Sequence, residues 1–215
     1  MSARPSPEDD KRFMTRALEL AQAQLGRTAP NPSVGCVIVA DGAIIAEGAT
    51  GDGGRPHAEE IALAAAGDRA RGATAYVTLE PCNQRSGGTS SCSELLLAAG
   101  VVRVVIACND PHPLGAHGAD RLVKAGVSIE HGLMSDEAER LNAGFFKLNA
   151  TGRPWLAIDS DAATYDGAFA LEGDETPEAA LDRFGAKGLT RVFVLPGPAL
   201  AADLKARGLV DEDRG

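Results

Sequence analysis

The sequence predicts an α/β fold: a three-layer α/β/α sandwich with a mixed central sheet, followed by a small C-terminal α/β appendage. Two observations carry this. Apolar runs at residues 34–40 and 43–48 flank Asp41-Gly42, a strong hairpin signal. After that hairpin, apolar runs of strand length alternate with helical periodicity up to about residue 150, where the composition changes.

Residues 11–25, KRFMTRALELAQAQL, space Phe13, Ala17, Leu20 and Gln24 along one helical face, and Gly26 stops the run. TAPNPSVG reads as a rigid loop into the hairpin. A Gly-rich stretch at 51–55 leads to a helix at 57–66. A third strand is expected at 73–79, a helix at 92–99 ending at Gly100, and a fourth strand at 101–108. A helix at 119–125 stops at Gly126, a short strand follows at 127–130, and an amphipathic helix fills 136–149. The order is α-β-β-α-β-α-β-α-β-α. Residues 1–150 are read as one domain and 151–215 as a smaller unit with a strand at 190–195 and a helix at 198–207. In such folds ligands bind beyond the carboxyl ends of the strands.

Composition narrows the function. The 215 residues are 44% hydrophobic and 24% charged, ordinary for a soluble globular chain. No apolar run reaches the roughly 20 residues of a membrane span, and MSARPSPEDDKRF has no apolar signal core. A cytoplasmic location is expected, without a membrane partner. Net charge is −9: residues 1–150 hold 14 basic against 18 acidic residues, and 151–215 hold 7 against 12. Neither part carries the basic excess of a nucleic-acid binder, so a small-molecule substrate is expected. Of four cysteines, Cys36 and Cys108 sit in strand-like runs and read as buried apolar residues, whereas Cys82 and Cys92 lie in loop and helix-start surroundings.

The chemistry concentrates in His57-Ala58-Glu59, Pro81-Cys82 and Cys92. One imidazole and two thiolates suit tetrahedral Zn²⁺ and leave a fourth position for water. Singly, each residue has an ordinary reading as a helix cap, a surface charge or an inert thiol. Together they match the pattern of zinc-dependent nucleobase deaminases, in which a carboxylate two residues from the histidine moves protons. A purely structural zinc normally has four Cys/His ligands, and no fourth lies nearby in sequence. The spacer here, Asn83 to Ser91, is nine residues instead of two.

Longer segments extend the match. TAPNPSVGCVIV, PHAEEIAL, GATAYVTLEPC, GVVRVVIACNDPHPLGAHG and EAERLNAGFFKLNATGRPW resemble the deaminase domain of the bifunctional riboflavin-biosynthesis deaminase/reductase family, over about residues 12–158. That resemblance implies a cytidine-deaminase-like fold with a CMP/dCMP-type deaminase domain. It also implies hydrolytic loss of the 2-amino group of 2,5-diamino-6-ribosylamino-4(3H)-pyrimidinone 5′-phosphate. It places His57, Cys82 and Cys92 on zinc and Glu59 as proton shuttle. It places Asn31 and Asp110 on the substrate, and a homodimer is the default expectation.

The inter-cysteine loop departs from the family. Where the family reads Cys-Ser-His-x-Gly-Lys/Arg-Thr-Pro-Pro-Cys, this chain reads CNQRSGGTSSC, one residue longer. Gln84 replaces the histidine, and Gly88 falls where a phosphate-binding cation belongs. His112 stands where the family has asparagine, and Thr50 where it often has histidine. Gln84, Arg85 and His112 join the candidate substrate contacts, with Arg85 as a shifted replacement for the lost cation. Alternatives are another small nucleobase-like substrate or a non-catalytic scaffold that keeps its metal. GRPWLAIDSDAATYDG and LTRVFVLPGPALAADLKARGLVDE resemble the start and end of the family's reductase, so a truncated remnant without NADPH binding or reductase activity is expected.

Overall fold

The computed structural model of the chain describes residues 5–85, 88–197 and 199–215. Two compact units emerge from its internal contacts. The first runs to Ala23 and adds Ser33–Gly51 and Arg55–Leu141; the second comprises Gln24–Pro32, Asp52–Gly54 and Asn142–Gly215.

In the first unit, α1 (Pro7–Gln22) begins four residues before the apolar spacing predicts. The cause is local. Ser6 accepts a hydrogen bond from the Asp9 N–H, Pro7 takes a position where its missing donor is harmless, and Glu8, Asp9 and Asp10 suit the positive helix end. The buried stripe is Phe13, Met14, Ala17, Leu18 and Ala21, while Leu20 and Gln24 of the expected face are only half-buried.

Strands β1 (Gly35–Ala40) and β2 (Ala43–Ala49) form the expected hairpin. Asp41 and Gly42 both take positive φ, 51° and 75°, the conformation of a tight turn matched to strand twist. β3 (Thr74–Leu79) pairs antiparallel with β1; β4 (Arg103–Cys108) and β5 (Ser128–His131) continue in parallel. The five-stranded sheet has the order β2-β1-β3-β4-β5. Every residue of β3 and β4 is buried, as a strand covered on both faces requires.

Helices α2 (Ala58–Ala66), α3 (Cys92–Ala99), α4 (Gly118–Lys124) and α5 (Ser135–Leu141) complete this unit. Two glycines locate the layers. A Cβ at Gly35 would lie 1.8 Å from the Ala17 carbonyl oxygen of α1, and one at Gly48 2.2 Å from the Ala58 carbonyl oxygen of α2. Gly48 is the register partner of Cys36, the neighbour of Gly35, so the two helices cover opposite faces. The three-layer sandwich predicted from the sequence is therefore present.

The helix expected at 136–149 is two helices. It breaks at Asn142 (φ −97°, ψ 17°) into α5 and α6 (Ala143–Thr151), and α6 belongs to the second unit. Among the described residues that unit holds a parallel sheet, β7-β8-β6-β9, built from β6 (Trp155–Ile158), β7 (Gly167–Ala168), β8 (Arg191–Val194) and β9 (Glu212–Asp213). Leu156, Ile158, Leu181, Phe184, Val192 and Leu204 lead its core, closed by α7 (Pro177–Ala186) and α8 (Ala199–Ala206). Only β8 and α8 of these were expected; Pro198, the expected start of α8, lies outside the described residues. No helix among the described residues is long and apolar enough to cross a membrane.

A buried charge cluster ties the first unit together. Arg103 of β4 grips Asp10 of α1 with two hydrogen bonds, 2.7 and 2.9 Å, and reaches Glu130 of β5 at 2.7 Å. The Tyr76 hydroxyl also donates to Asp10. Removing one partner of a buried pair leaves the other charge undercompensated. Asp10→Asn is expected to cost about 3 kcal/mol, read as a lower urea midpoint at unchanged m-value; an unchanged midpoint would mean the cluster adds nothing.

Candidate metal centre and active site

Three chain ends bring the candidate ligands together. His57 is the residue that caps α2; its backbone N–H donates to Glu60 Oε2 at 2.7 Å. Cys82 lies three residues beyond the end of β3 at Leu79. Cys92 opens α3 because Ser91 caps that helix, accepting from Glu94 N–H while Glu94 Oε2 accepts the Ser91 N–H at 2.8 Å. The Cys92 N–H then points at Cys82 Sγ, 3.2 Å away.

His57 Nδ1 is 3.2 Å from Cys92 Sγ and 3.8 Å from Cys82 Sγ, and all three ligand atoms lie within 4.8 Å of one another. Tetrahedral zinc, with bonds of about 2.3 Å to sulfur and 2.0 Å to nitrogen, needs ligand separations of about 3.5–3.8 Å. The set fits that ion. Among the described residues it is the one His/Cys/Asp/Glu group so arranged. The Cys92 thiol, the His57 ring, the Cys92 backbone N–H and Arg85 hold the Cys82 thiol well below its usual range, whereas Cys92 is pushed up by Cys82 and by burial. A bound cation favours the thiolate form of both sulfurs.

Glu59 sits in the first turn of α2, only 3% exposed. Burial raises its pKa, opposed by His57. His57, Cys82 and Cys92 all act on its charge, so the ligand cluster and the acid adjoin. Cys36 of β1 faces the same carboxyl; burial, then the Glu59 charge, keep its thiol protonated. Cys36 and Cys108 are both buried strand residues, as the sequence suggested.

The rim is held by backbone pairing. Asn83 and Gln84 donate to the carbonyls of Gly115 and Leu114 at 3.1 and 2.9 Å. A Cβ at Gly118 would lie 1.7 Å from the Pro81 carbonyl oxygen, so glycine lets α4 pack against the Cys82 segment. Asp110, two residues past β4, accepts the His112 N–H at 2.8 Å. The half-buried His112 accepts the Leu114 N–H through Nδ1 at 3.2 Å, and the Gln84 and Gly88 positions are exposed. Thr50 is buried and hydrogen-bonded to Val34 of its own fold layer.

Arg85 is not a surface arginine. Its side chain is 4% exposed, with Nη1 2.9 Å from Glu60 Oε1 and Nη2 3.2 Å from Cys92 Sγ. Asn31 belongs to the second unit. There it is fixed by Thr28, which accepts its N–H at 3.0 Å and donates to its carbonyl at 3.1 Å, and by Gly54, where a Cβ would lie 2.1 Å from Asn31 Nδ2.

Two residues of this neighbourhood were not singled out from the sequence. Glu60 stands three residues after its cap, the spacing of a capping box, and could have been found. Arg121 gives no sequence signal; it clamps Asn83 through both Oδ1 and the carbonyl and reaches Glu94 at 3.0 Å.

A family model, the cytidine and deoxycytidylate deaminase zinc-binding region, matches residues 7–108, which include all three ligands and Glu59. The chain is 47% identical over 143 residues to diaminohydroxyphosphoribosylamino-pyrimidine deaminase of Buchnera aphidicola, a span covering 66% of this chain and 97% of that protein. The chain belongs to the diaminohydroxyphosphoribosylaminopyrimidine deaminase family. It is also 49% identical over 168 residues to riboflavin biosynthesis protein RibD of Escherichia coli, covering 78% of this chain and 45% of that one. It thus spans under half the length of such RibD relatives. Among solved structures it resembles Acinetobacter baumannii RibD, with TM-score 0.82 and 28% identity over 96% of this chain and 85% of that chain. As a member of this deaminase family the chain has the cytidine-deaminase-like fold, and zinc is the metal its His-Cys-Cys set takes.

Burial, reinforced by Glu80 and Cys82, raises Asp110 from 3.8 to about 6, against the pull of His112. An acid whose folded value is raised is harmless to stability below its unfolded value and is penalised as pH climbs through the folded one. Asp110→Asn is therefore expected to gain stability over the parent between pH 4 and pH 7, by up to about 3 kcal/mol. Comparing the two proteins at each pH cancels metal loss in acid. An equal difference at both pH values contradicts the burial of that charge.

Proposed function

We propose that this chain hydrolytically deaminates a small amino-pyrimidine, 2,5-diamino-6-ribosylamino-4(3H)-pyrimidinone 5′-phosphate, in riboflavin biosynthesis. The observation that carries the reading is the buried Glu59 carboxyl beside the His57, Cys82 and Cys92 donors. Bound zinc supplies the Lewis acidity that makes water a nucleophile near neutral pH. The residues of the chain supply positioning and proton transfer.

Glu59 takes a proton from the attacking water as its oxygen bonds to the amidine carbon. The carboxyl hands that proton to the adjacent ring nitrogen, then takes the proton of the new hydroxyl and gives it to the departing amine. The carbon–nitrogen bond breaks, ammonia leaves and a carbonyl remains. Burial suits Glu59 to this work, because a raised pKa makes its carboxylate a stronger base toward the water proton. Asn31 and Asp110 are assigned to the substrate, Asp110 to the ribose hydroxyls, with Gln84 and His112 at the rim. The relatives named for this deamination, including the Buchnera protein, support the substrate class.

The altered inter-cysteine loop favours one alternative, a related amino-heterocycle without the phosphate, since exposed Gly88 offers no cation. Residues 1–150 are assigned to the zinc deaminase and 151–215 to a reductase-like remnant without reductase activity. A cytoplasmic homodimer with no nucleic-acid partner completes the reading.

Glu59→Gln is expected to lower ammonia release by about 10²–10⁴-fold while zinc stays at one per chain. Retained turnover would remove Glu59 from the reaction. Running the phosphorylated and dephosphorylated pyrimidinones side by side separates the two substrate readings.

A further inference from the structure

Arg85 and Glu60 connect two of the metal ligands by a continuous set of contacts. The Glu60 carboxylate takes the His57 backbone N–H on one oxygen, at 2.7 Å, and the Arg85 guanidinium on the other, at 2.9 Å. The same guanidinium donates to Cys92 Sγ at 3.2 Å. Arg85 is also three residues from Cys82 in the chain, so the loop that leaves one ligand folds back to hold another. A guanidinium is a rigid planar fork, so two occupied nitrogens fix its plane and hence the direction from which it meets the sulfur. Burying it in this way needs a compensating anion and acceptor, and Glu60 and the thiolate are both. The positive charge stands beside the sulfurs of Cys82 and Cys92.

We propose that Arg85 and Glu60 are positioning residues of the zinc centre: together they hold Cys92 Sγ and the capping turn of His57 in ligating geometry and so retain the metal. Arg85 acts on the sulfur side of the centre and is not the cation that receives the substrate's phosphate. The inference rests on the zinc reading of the three ligands but not on the identity of the substrate. Partners behind metal ligands orient them, and their loss usually costs 10–100-fold in metal affinity.

The test measures zinc affinity of the purified full chain by competition with a chromophoric chelator, for Arg85→Ala, Glu60→Gln and the double variant. Each single change is expected to weaken zinc binding about 10–100-fold. The double variant is expected to lose little more than either single one, because both act through one bridge. Cobalt-substituted protein is expected to show a shifted sulfur-to-metal charge-transfer band in the single variants. With zinc saturating, Arg85→Ala keeps the parent's KM ratio between phosphorylated and dephosphorylated pyrimidinones. If Arg85→Ala does not fold, judged by the thermal transition of the metal-free chain, Arg85→Lys and Glu60→Gln give the same readout. Zinc affinity within twofold of the parent, or additive losses, overturns the proposal, as does a collapse of the KM ratio. If no pyrimidinone is deaminated by the parent, the affinity series still decides this point, so the two readings fail separately.

Discussion

Two helices that begin at the same place constrain everything at this site. Ser91 caps α3, which makes Cys92 its first residue; His57 caps α2, which puts Glu59 in its first turn. The end of β3 delivers Cys82 between them, and the Cys92 N–H is directed at its sulfur. Helix starts present unpaired N–H groups and a positive field, which suits thiolates and a working carboxylate. Moving either helix by one residue would rotate its ligand by about 100° and scatter the cluster. Gly48 lets α2 lie directly on β2, and Gly118 lets α4 pack against Pro81, next to Cys82.

The site is crowded with acids, and its electrostatics follow. Glu59, Cys36 and Asp110 are pushed up by burial and Cys92 by Cys82 and burial, while Cys82 and Glu60 are pulled down. Such a pocket is poorly disposed to hold several negative charges without a cation. A divalent metal answers the thiolates, and Arg85 with Glu60 answers the remainder at the edge. Burial raises the Glu59 pKa, and His57, its own helix turn and Cys92 oppose that rise.

Much of this could be read in the sequence, for identifiable reasons. The helix at 92–99 is legible with its observed ends, and Gly100, at φ 75°, is its strong stop signal. The hairpin was equally legible from Asp41-Gly42. Continuous apolar periodicity concealed the break at Asn142, which coincides with the boundary between the two units. Helix α7 was missed although Thr176-Pro177 marks its start, and strands as short as β7 and β9 carry no periodicity at all. At the site, the ligands and Glu59 were legible because their types and order are specific. The destination of Arg85 was not. A loop arginine finds its partners through tertiary contacts, and only the fold shows that Glu60 and Cys92 are those partners.

The central claim is an open zinc centre built by His57, Cys82 and Cys92 beside Glu59. X-ray absorption at the zinc edge of the purified chain tests it most directly. The account predicts one zinc per chain with two sulfurs at about 2.3 Å, one imidazole nitrogen near 2.0 Å and one further light oxygen donor. A chain that stays metal-free after reconstitution, or a zinc enclosed by four protein donors, would contradict it.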